Sequence, residues 1–208
     1  MADLKGKFIV IEGLDGAGGS TQANKLASLL LKNGCLTEKL AYPDYSNHIG
    51  QLLLKMLQDK EFRSKGMEFT PTLQFLLFSA DMVKDSDSIT GWLEEGKTVI
   101  ADRYFPSTLA YQSAMGFPLK SGLAFAELFR LPKPDYTIYL KILPETSGKR
   151  KKQEGSLDWF EEDISFLAKV AKEYEHLAKN NVFGQWHVVD AEREISAVAQ
   201  GIAKVLGL

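Results

Sequence analysis

The chain has 208 residues, 45% of them hydrophobic and 25% charged, with 25 basic against 27 acidic side chains for a net charge of −2. That composition excludes a disordered chain, and the slightly acidic balance argues against a protein that grips nucleic acid through its phosphates. No apolar run approaches the roughly 20 residues that span a bilayer, so no membrane partner is expected. One cysteine, Cys35, excludes an internal disulfide and a cysteine-rich metal site, and His48, His176 and His187 lie too far apart to suggest ligand spacing. The opening residues lack the apolar stretch of a signal peptide, so a cytoplasmic location is expected. At roughly 150 residues per domain, a single domain over 1–208 is the expectation.

In chain order, residues 8–12 form a β-branched run ending at a glycine-rich turn. Helical spacing follows over 21–32 through Leu26, Leu29 and Leu30, and Asn33-Gly34 stops it. A second strand is predicted over 36–42, closed by Pro43, and a helix over 49–57. Thr70-Pro71 opens one long helix that runs to about Glu95 and ends at Gly96. A third strand spans 98–102, and helices follow over 107–115 and 122–129. The fourth strand covers 136–140, then comes the charged stretch Lys149-Arg-Lys-Lys-Gln-Glu154. Asp158 caps the next helix, which ends near Asn180, and a strand over 186–190 and a helix over 194–206 close the chain. Strands separated by helices imply βαβ units, hence an α/β fold with a five-stranded parallel sheet. The runs 8–11 and 98–101 are apolar apart from Thr98 and belong at its centre.

The first strand leads into Gly13-Leu-Asp-Gly-Ala-Gly-Gly-Ser-Thr21 and then a helix. A phosphate-binding P-loop reads G-x-x-x-x-G-K-[ST] in that context. Gly13 and Gly18 take the glycine positions and Ser20 the hydroxyl position, where it would face Mg²⁺. The lysine position holds Gly19, so the charge that usually meets the β- and γ-phosphates is missing.

Along nearly its whole length the chain resembles the thymidylate kinase family of nucleoside monophosphate kinases. Ile11-Glu-Gly-Leu-Asp-Gly-Ala-Gly-Gly-Ser-Thr-Gln22 is similar to the family's opening motif. Tyr42-Pro-Asp-Tyr-Ser46 with Ile49-Gly-Gln-Leu-Leu53, and Leu76-Leu-Phe-Ser-Ala-Asp81, resemble its acceptor-side segments. Asp102-Arg-Tyr104, followed by Ser107 and Ala110-Tyr-Gln112, is the most specific block. Leu131-Pro-Lys-Pro-Asp135, the stretch 157–161 and Val188-Val-Asp-Ala191 complete the order.

The resemblance implies a P-loop NTPase fold with a mobile lid over about 144–158. It also implies phosphorylation of dTMP to dTDP with ATP and Mg²⁺, and a homodimer. The helix carrying Leu73, Leu76 and Leu77 has apolar surface to spare for such a dimer. Gly13, Gly16, Ala17, Gly18, Gly19, Ser20 and Thr21 would cradle the ATP phosphates, with Arg150 and Ala191 bordering adenine. Ser20 and Asp102 would hold the metal, Asp102 directly or through water. Arg103 would grip the acceptor phosphate with its planar fork, and Asp15 would face the acceptor sugar and the reacting phosphate. Phe78 would stack on the pyrimidine, Tyr111 would close that pocket with Tyr42, and Gln112 and Ser107 would contact the base. Gly16 stands where one branch of the family has an arginine; the other branch draws its catalytic arginine from the lid. Lys151 or Lys152 would then supply the lid charge here.

Four positions depart from the family by losing a cation: Gly19 in the P-loop, Tyr45, Met82 beside the base, and Trp159 at the lid's end. These departures leave open a degenerate homologue with weak activity or altered monophosphate specificity. They also leave open a lysine supplied from elsewhere in the chain. Without such a substitute, Gly19→Lys is expected to raise kcat by about 10²-fold. A switch GTPase would need N-K-x-D after a strand; Pro132-Lys-Pro-Asp135 lacks the asparagine and precedes one.

Overall fold

The computed structural model describes residues 4–64, 68–155, 160 and 163–208. Its sheet consists of β1 (Phe8–Gly13), β2 (Thr37–Ala41), β3 (Thr98–Asp102), β4 (Tyr136–Lys141) and β5 (Trp186–Asp190), in the order β2-β3-β1-β4-β5. Every pairing is parallel. All six residues of β1 are buried, and so are the first four of β3, because both strands are covered on two faces. The edge strand β2 alternates between half-buried and exposed residues.

The helices are α1 (Gly19–Lys32), α2 (His48–Gln58), α3 (Lys60–Ser64), α4 (Pro71–Val83) and α5 (Ser86–Glu94), then α6 (Phe105–Ala114), α7 (Leu119–Leu128), α8 (Pro144–Glu154), α9 (Ile164–Lys179) and α10 (Ile195–Leu206). α1 lies across β1, β3 and β2 and packs on α10, while α6 sits between α4 and α9. The register pairs Ile11 and Ala41 with Asp102, so the carboxyl ends of β1, β2 and β3 finish level with one another. Ligands of open parallel sheets bind at that end.

The expected long helix from Thr70 to Glu95 is two helices. Thr70 does cap the first, accepting from the Leu73 N–H at 3.2 Å with Pro71 behind it. The chain then breaks at Lys84-Asp85. Asp85 stands at the N-cap of α5 but does not cap it, because its carboxylate accepts from Tyr42 Oη at 2.9 Å and from Lys84 Nζ at 2.5 Å. Lys84 Nζ also lies 3.4 Å from carboxylate oxygens of Asp44 and Asp81. This long-range pairing, together with the backbone-competing Asp-Ser-Asp stretch, overrides local helical spacing. The cap of α9 is Asp163, which accepts from the N–H groups of Ser165 and Phe166; Asp158 lies outside the described residues. The charged stretch over 149–154 falls within α8, and Gly155 ends that helix in the left-handed conformation.

Candidate active site

The loop after β1 depends on close backbone approach. A Cβ on Gly13 would sit 2.8 Å from the Leu140 carbonyl oxygen and 3.1 Å from Ala17 Cβ, so no larger residue fits. Gly18 takes the left-handed conformation at the N-cap of α1 and offers no capping side chain. The first N–H groups of α1 are therefore left for an anion. Gly13, Gly16, Ala17, Gly18, Gly19, Ser20 and Thr21 line one cavity of about 250 Å³, closed by Asp15, Asp102 and Arg103.

At Gly19 the missing lysine has a structural counterpart. A Cβ at that position would run into Asp102 Oδ1, so a lysine there would require the Asp102 carboxylate to rotate away. Burial raises the Asp102 pKa, with Asp15 adding to the rise and Arg103 and Lys39 opposing it. Ser20 is exposed at the start of α1. A half-buried carboxylate beside an exposed hydroxyl is an oxygen-only donor set, which suits a hard cation such as Mg²⁺. Among the described residues no group of three or more His, Cys, Asp or Glu side chains forms a metal cluster.

Arg103 follows directly on β3. Its φ of 64° is the left-handed region that a side-chain-bearing residue rarely takes, and its N–H donates to the Ile11 carbonyl at 2.8 Å. This backbone turn throws the side chain across the carboxyl end of β1. Nη2 donates to Asp15 Oδ1 at 2.6 Å, and Nη1 donates to Ser107 Oγ at 3.2 Å and Tyr174 Oη at 3.4 Å. The guanidinium lies 5.6 Å from the centre of the Tyr111 ring, and Tyr111 Oη donates to Asp15 Oδ2 at 2.8 Å. Arginine and ring thus hold both Asp15 oxygens.

Beneath this pair lies a residue that the motifs alone did not single out. Glu12 is 1% exposed in a strand that is otherwise apolar. It accepts from the N–H groups of Tyr104 and Ser107 at 2.9 and 3.2 Å, from Ser107 Oγ at 2.5 Å and from Tyr174 Oη at 3.0 Å. Burial pushes its carboxyl up to about 7, against the pull of Ser107, Arg103, Tyr174 and Tyr104. A lone acid in a strand buried on both faces was the available signal, since such a charge must find partners. Tyr174 gave no signal: one aromatic on the buried face of α9 reads as plain core.

A second cavity of about 310 Å³ opens on the other side of Arg103. Tyr42, Phe78, Ser107, Tyr111 and Gln112 line it, with Met82 and Phe160. Phe78 and Tyr111 face the Phe160 ring at centroid distances of 6.4 and 5.2 Å. The Gln112 amide is buried, and neither its oxygen nor its nitrogen has a hydrogen-bond partner among the described residues. Such a group in a cavity wall calls for a polar ligand. Ser107 lines the cavity, but its hydroxyl is committed to Glu12 rather than left for a base. Tyr42 is similarly engaged with Asp85. Met82, in place of a cation, is buried with its sulfur 3.8 Å from Thr108 Oγ1.

The segment expected to form a lid folds as α8, which packs on the glycine-rich loop. Arg150 Nη1 donates to the Gly16 carbonyl at 2.9 Å and Nη2 to the Ala191 carbonyl at 3.2 Å, which joins the P-loop to the turn after β5. Ser147 Oγ donates to the Asp15 carbonyl at 2.7 Å, a contact with no forewarning in the sequence. A Cβ on Gly16 would lie 3.2 Å from Arg150 Cβ and 3.7 Å from Lys151 Cγ, so an arginine there would collide with α8 as it is placed. Lys152 is exposed, and Trp159 lies outside the described residues.

A phosphate loop at the carboxyl edge of a parallel sheet, with a second, partly apolar cavity across a shared arginine, defines a nucleotide phosphotransferase of the P-loop class. The family model described as thymidylate kinase matches residues 11–202. The chain is 35% identical to a thymidylate kinase of Legionella pneumophila (strain Corby), over 99% of this chain and 96% of that one. It is 31% identical to a probable thymidylate kinase of Pyrococcus abyssi, over 98% and 97% of the two chains, and 31% identical to the thymidylate kinase of Dictyostelium discoideum, over 97% and 85%. The chain belongs to the thymidylate kinase family. Among the described residues no helix is long and apolar enough to cross a membrane.

Proposed function

We propose that the chain, acting as one domain, transfers the γ-phosphoryl group of ATP to dTMP, giving dTDP and ADP. One observation carries this reading. Asp15, Asp102 and Arg103 line both cavities, so a donor in one and an acceptor in the other meet at the same three side chains. Phosphoryl transfer needs little more than in-line positioning and charge neutralisation.

In this reading the glycine-rich loop and the N-terminus of α1 bind the donor phosphates, and Arg150 and Ala191 border the adenine. Ser20 and Asp102 hold Mg²⁺, which when bound neutralises donor phosphate charge. Arg103 grips the acceptor phosphate, while Asp15 orients that fork and faces the acceptor sugar. Lys151 or Lys152 brings further positive charge from the lid. Phe78 stacks on the base within walls formed by Tyr42, Ser107 and Tyr111, and Gln112 reads its polar edge. The protein works in the cytoplasm.

An ADP-release assay with dTMP, dUMP, dCMP, dGMP and AMP tests the reading, with dTMP expected to give the highest kcat/KM. Turnover of none of them would mark a degenerate homologue. Phe78→Ala is expected to raise KM for dTMP by roughly 10-fold and to change kcat less, since an aromatic stack contributes about 1 kcal/mol beyond its area. A change in kcat alone would place Phe78 away from the base.

We further propose a homodimer. Leu76 on α4 is 48% exposed, with Leu73 and Leu77 half-buried beside it. Light scattering is expected to give about twice the chain mass of 23.2 kDa. The single-chain mass at all concentrations would refute it.

A further inference from the structure

Position 19 leaves the donor site short of one positive charge. Arg103 is committed to Asp15, and Arg150 to two carbonyl oxygens. Lys151 approaches Gly16 from the lid side. On the opposite side stands Lys39, in β2. The register pairs Ala41 with Asp102 and Lys39 with Ile100, so Lys39 and Asp102 project from the same face of the sheet. This is the face on which α1 lies, since Asp102 Oδ1 occupies the space beside Gly19.

Lys39 Nζ donates to Asn24 Oδ1 at 2.6 Å. Asn24 comes four residues after Ser20 on α1, so the two share one helix face a single turn apart. Lys39 is exposed, and among the described residues it pairs with no carboxylate. An amide partner holds the ammonium without neutralising it. The Lys39 charge nonetheless acts on Asp102, lowering its pKa against burial. The way from Asn24 to Ser20 is four residues, a rise of about 6 Å, within the swing of a flexible four-carbon stem.

We propose that Lys39 supplies, from the neighbouring strand, the positive charge the P-loop lacks at Gly19. Released from Asn24, its ammonium swings along α1 towards Ser20 and Asp102. There it stabilises the charge on the transferring phosphoryl group. In that step an acceptor phosphate oxygen forms the new P–O bond as the bond from the γ-phosphorus to the bridging oxygen breaks. ADP leaves with the electron pair, and Lys39 stays protonated throughout. The inference rests on the phosphotransfer reading above.

The test is a two-by-two set of Lys39→Met and Gly19→Lys, with Lys39→Arg and Asn24→Ala alongside, each assayed for kcat and KM of ATP. Lys39→Met is expected to lower kcat by on the order of 10²-fold while KM for ATP moves only a few-fold. Lys39→Arg keeps most of the rate. In the Lys39→Met background Gly19→Lys restores at least roughly 10-fold, a larger factor than the same substitution gives in the unaltered chain, where the charge is already present. Asn24→Ala, which removes the resting partner and keeps the cation, stays within a few-fold of the unaltered chain. Equal losses from Lys39→Met with and without lysine at 19, or an equal loss from Asn24→Ala, would mean a structural role and overturn the proposal. Full turnover by Lys39→Met with loss in Lys151→Ala would assign the charge to the lid. No turnover by the unaltered chain with any monophosphate would defeat the phosphotransfer reading, and this inference with it. Turnover left undiminished by Lys39→Met defeats the inference alone.

Discussion

Arg103→Ala is expected to lower kcat/KM for dTMP by on the order of 10³-fold. Removing one preorganised charged donor from a reacting centre costs about 10²- to 10³-fold by itself. Here the truncation does more. Arg103 is the cation that holds Asp15 at 2.6 Å and lies closest to the Ser107, Tyr174 and Glu12 network. Without it the acceptor phosphate would enter a site where Asp15 and Asp102 carry charge of its own sign, with Glu12 below. Arg103→Lys keeps the charge but loses the planar fork that reaches Asp15 and Ser107 together, so it should recover only part of the loss. Both variants are compared by steady-state kinetics with dTMP varied, after circular dichroism melts confirm a folded chain. Retention of more than a tenth of the original kcat/KM in Arg103→Ala would remove Arg103 from the acceptor phosphate.

The reach of the sequence followed the range of the interactions involved. β1 and β3 were legible because burial on both faces leaves a nearly continuous apolar run, and the loop from Gly13 was legible because its glycines mark backbone geometry. Gly34 ended α1 where expected, again a local matter. The break between α4 and α5 was not legible, because Asp85 turns to Tyr42, 43 residues away, instead of capping its own helix. The floor of the site was hidden for the same reason. Glu12, Ser107 and Tyr174 come from β1, α6 and α9, and only the fold brings the three together. Arg103 and Phe78 were picked out by family resemblance, and the fold brings both to the wall of the second cavity. The vacancy at Gly19 was visible, but not that Asp102 stands against it, nor that Lys39 shares its face of the sheet.

Glu12→Gln is expected to flatten the pH dependence of stability between pH 5 and 9. The carboxyl is held at about 7 in the folded chain against an ordinary value of 4.5, with burial the main cause. A folded pKa above the unfolded one means that the fold favours the protonated acid. The stabilisation from this group is therefore full below about pH 4.5 and is lost as pH rises through 7. Its size follows from the shift of roughly 2.5 units, or about 3 kcal/mol in total. Glutamine imitates the protonated acid, with one acceptor oxygen and one donating end. The Ser107 and Tyr174 hydroxyls can turn to accept from that end, while the Tyr104 and Ser107 N–H groups keep the oxygen. The variant should thus exceed the unaltered chain by about 1 kcal/mol or less at pH 5 and by about 3 kcal/mol at pH 9. Urea unfolding at one-unit pH intervals measures the difference directly. Parallel curves for the two chains across that range would show that Glu12 is already ionised at pH 5, with its four donors and Arg103 outweighing burial.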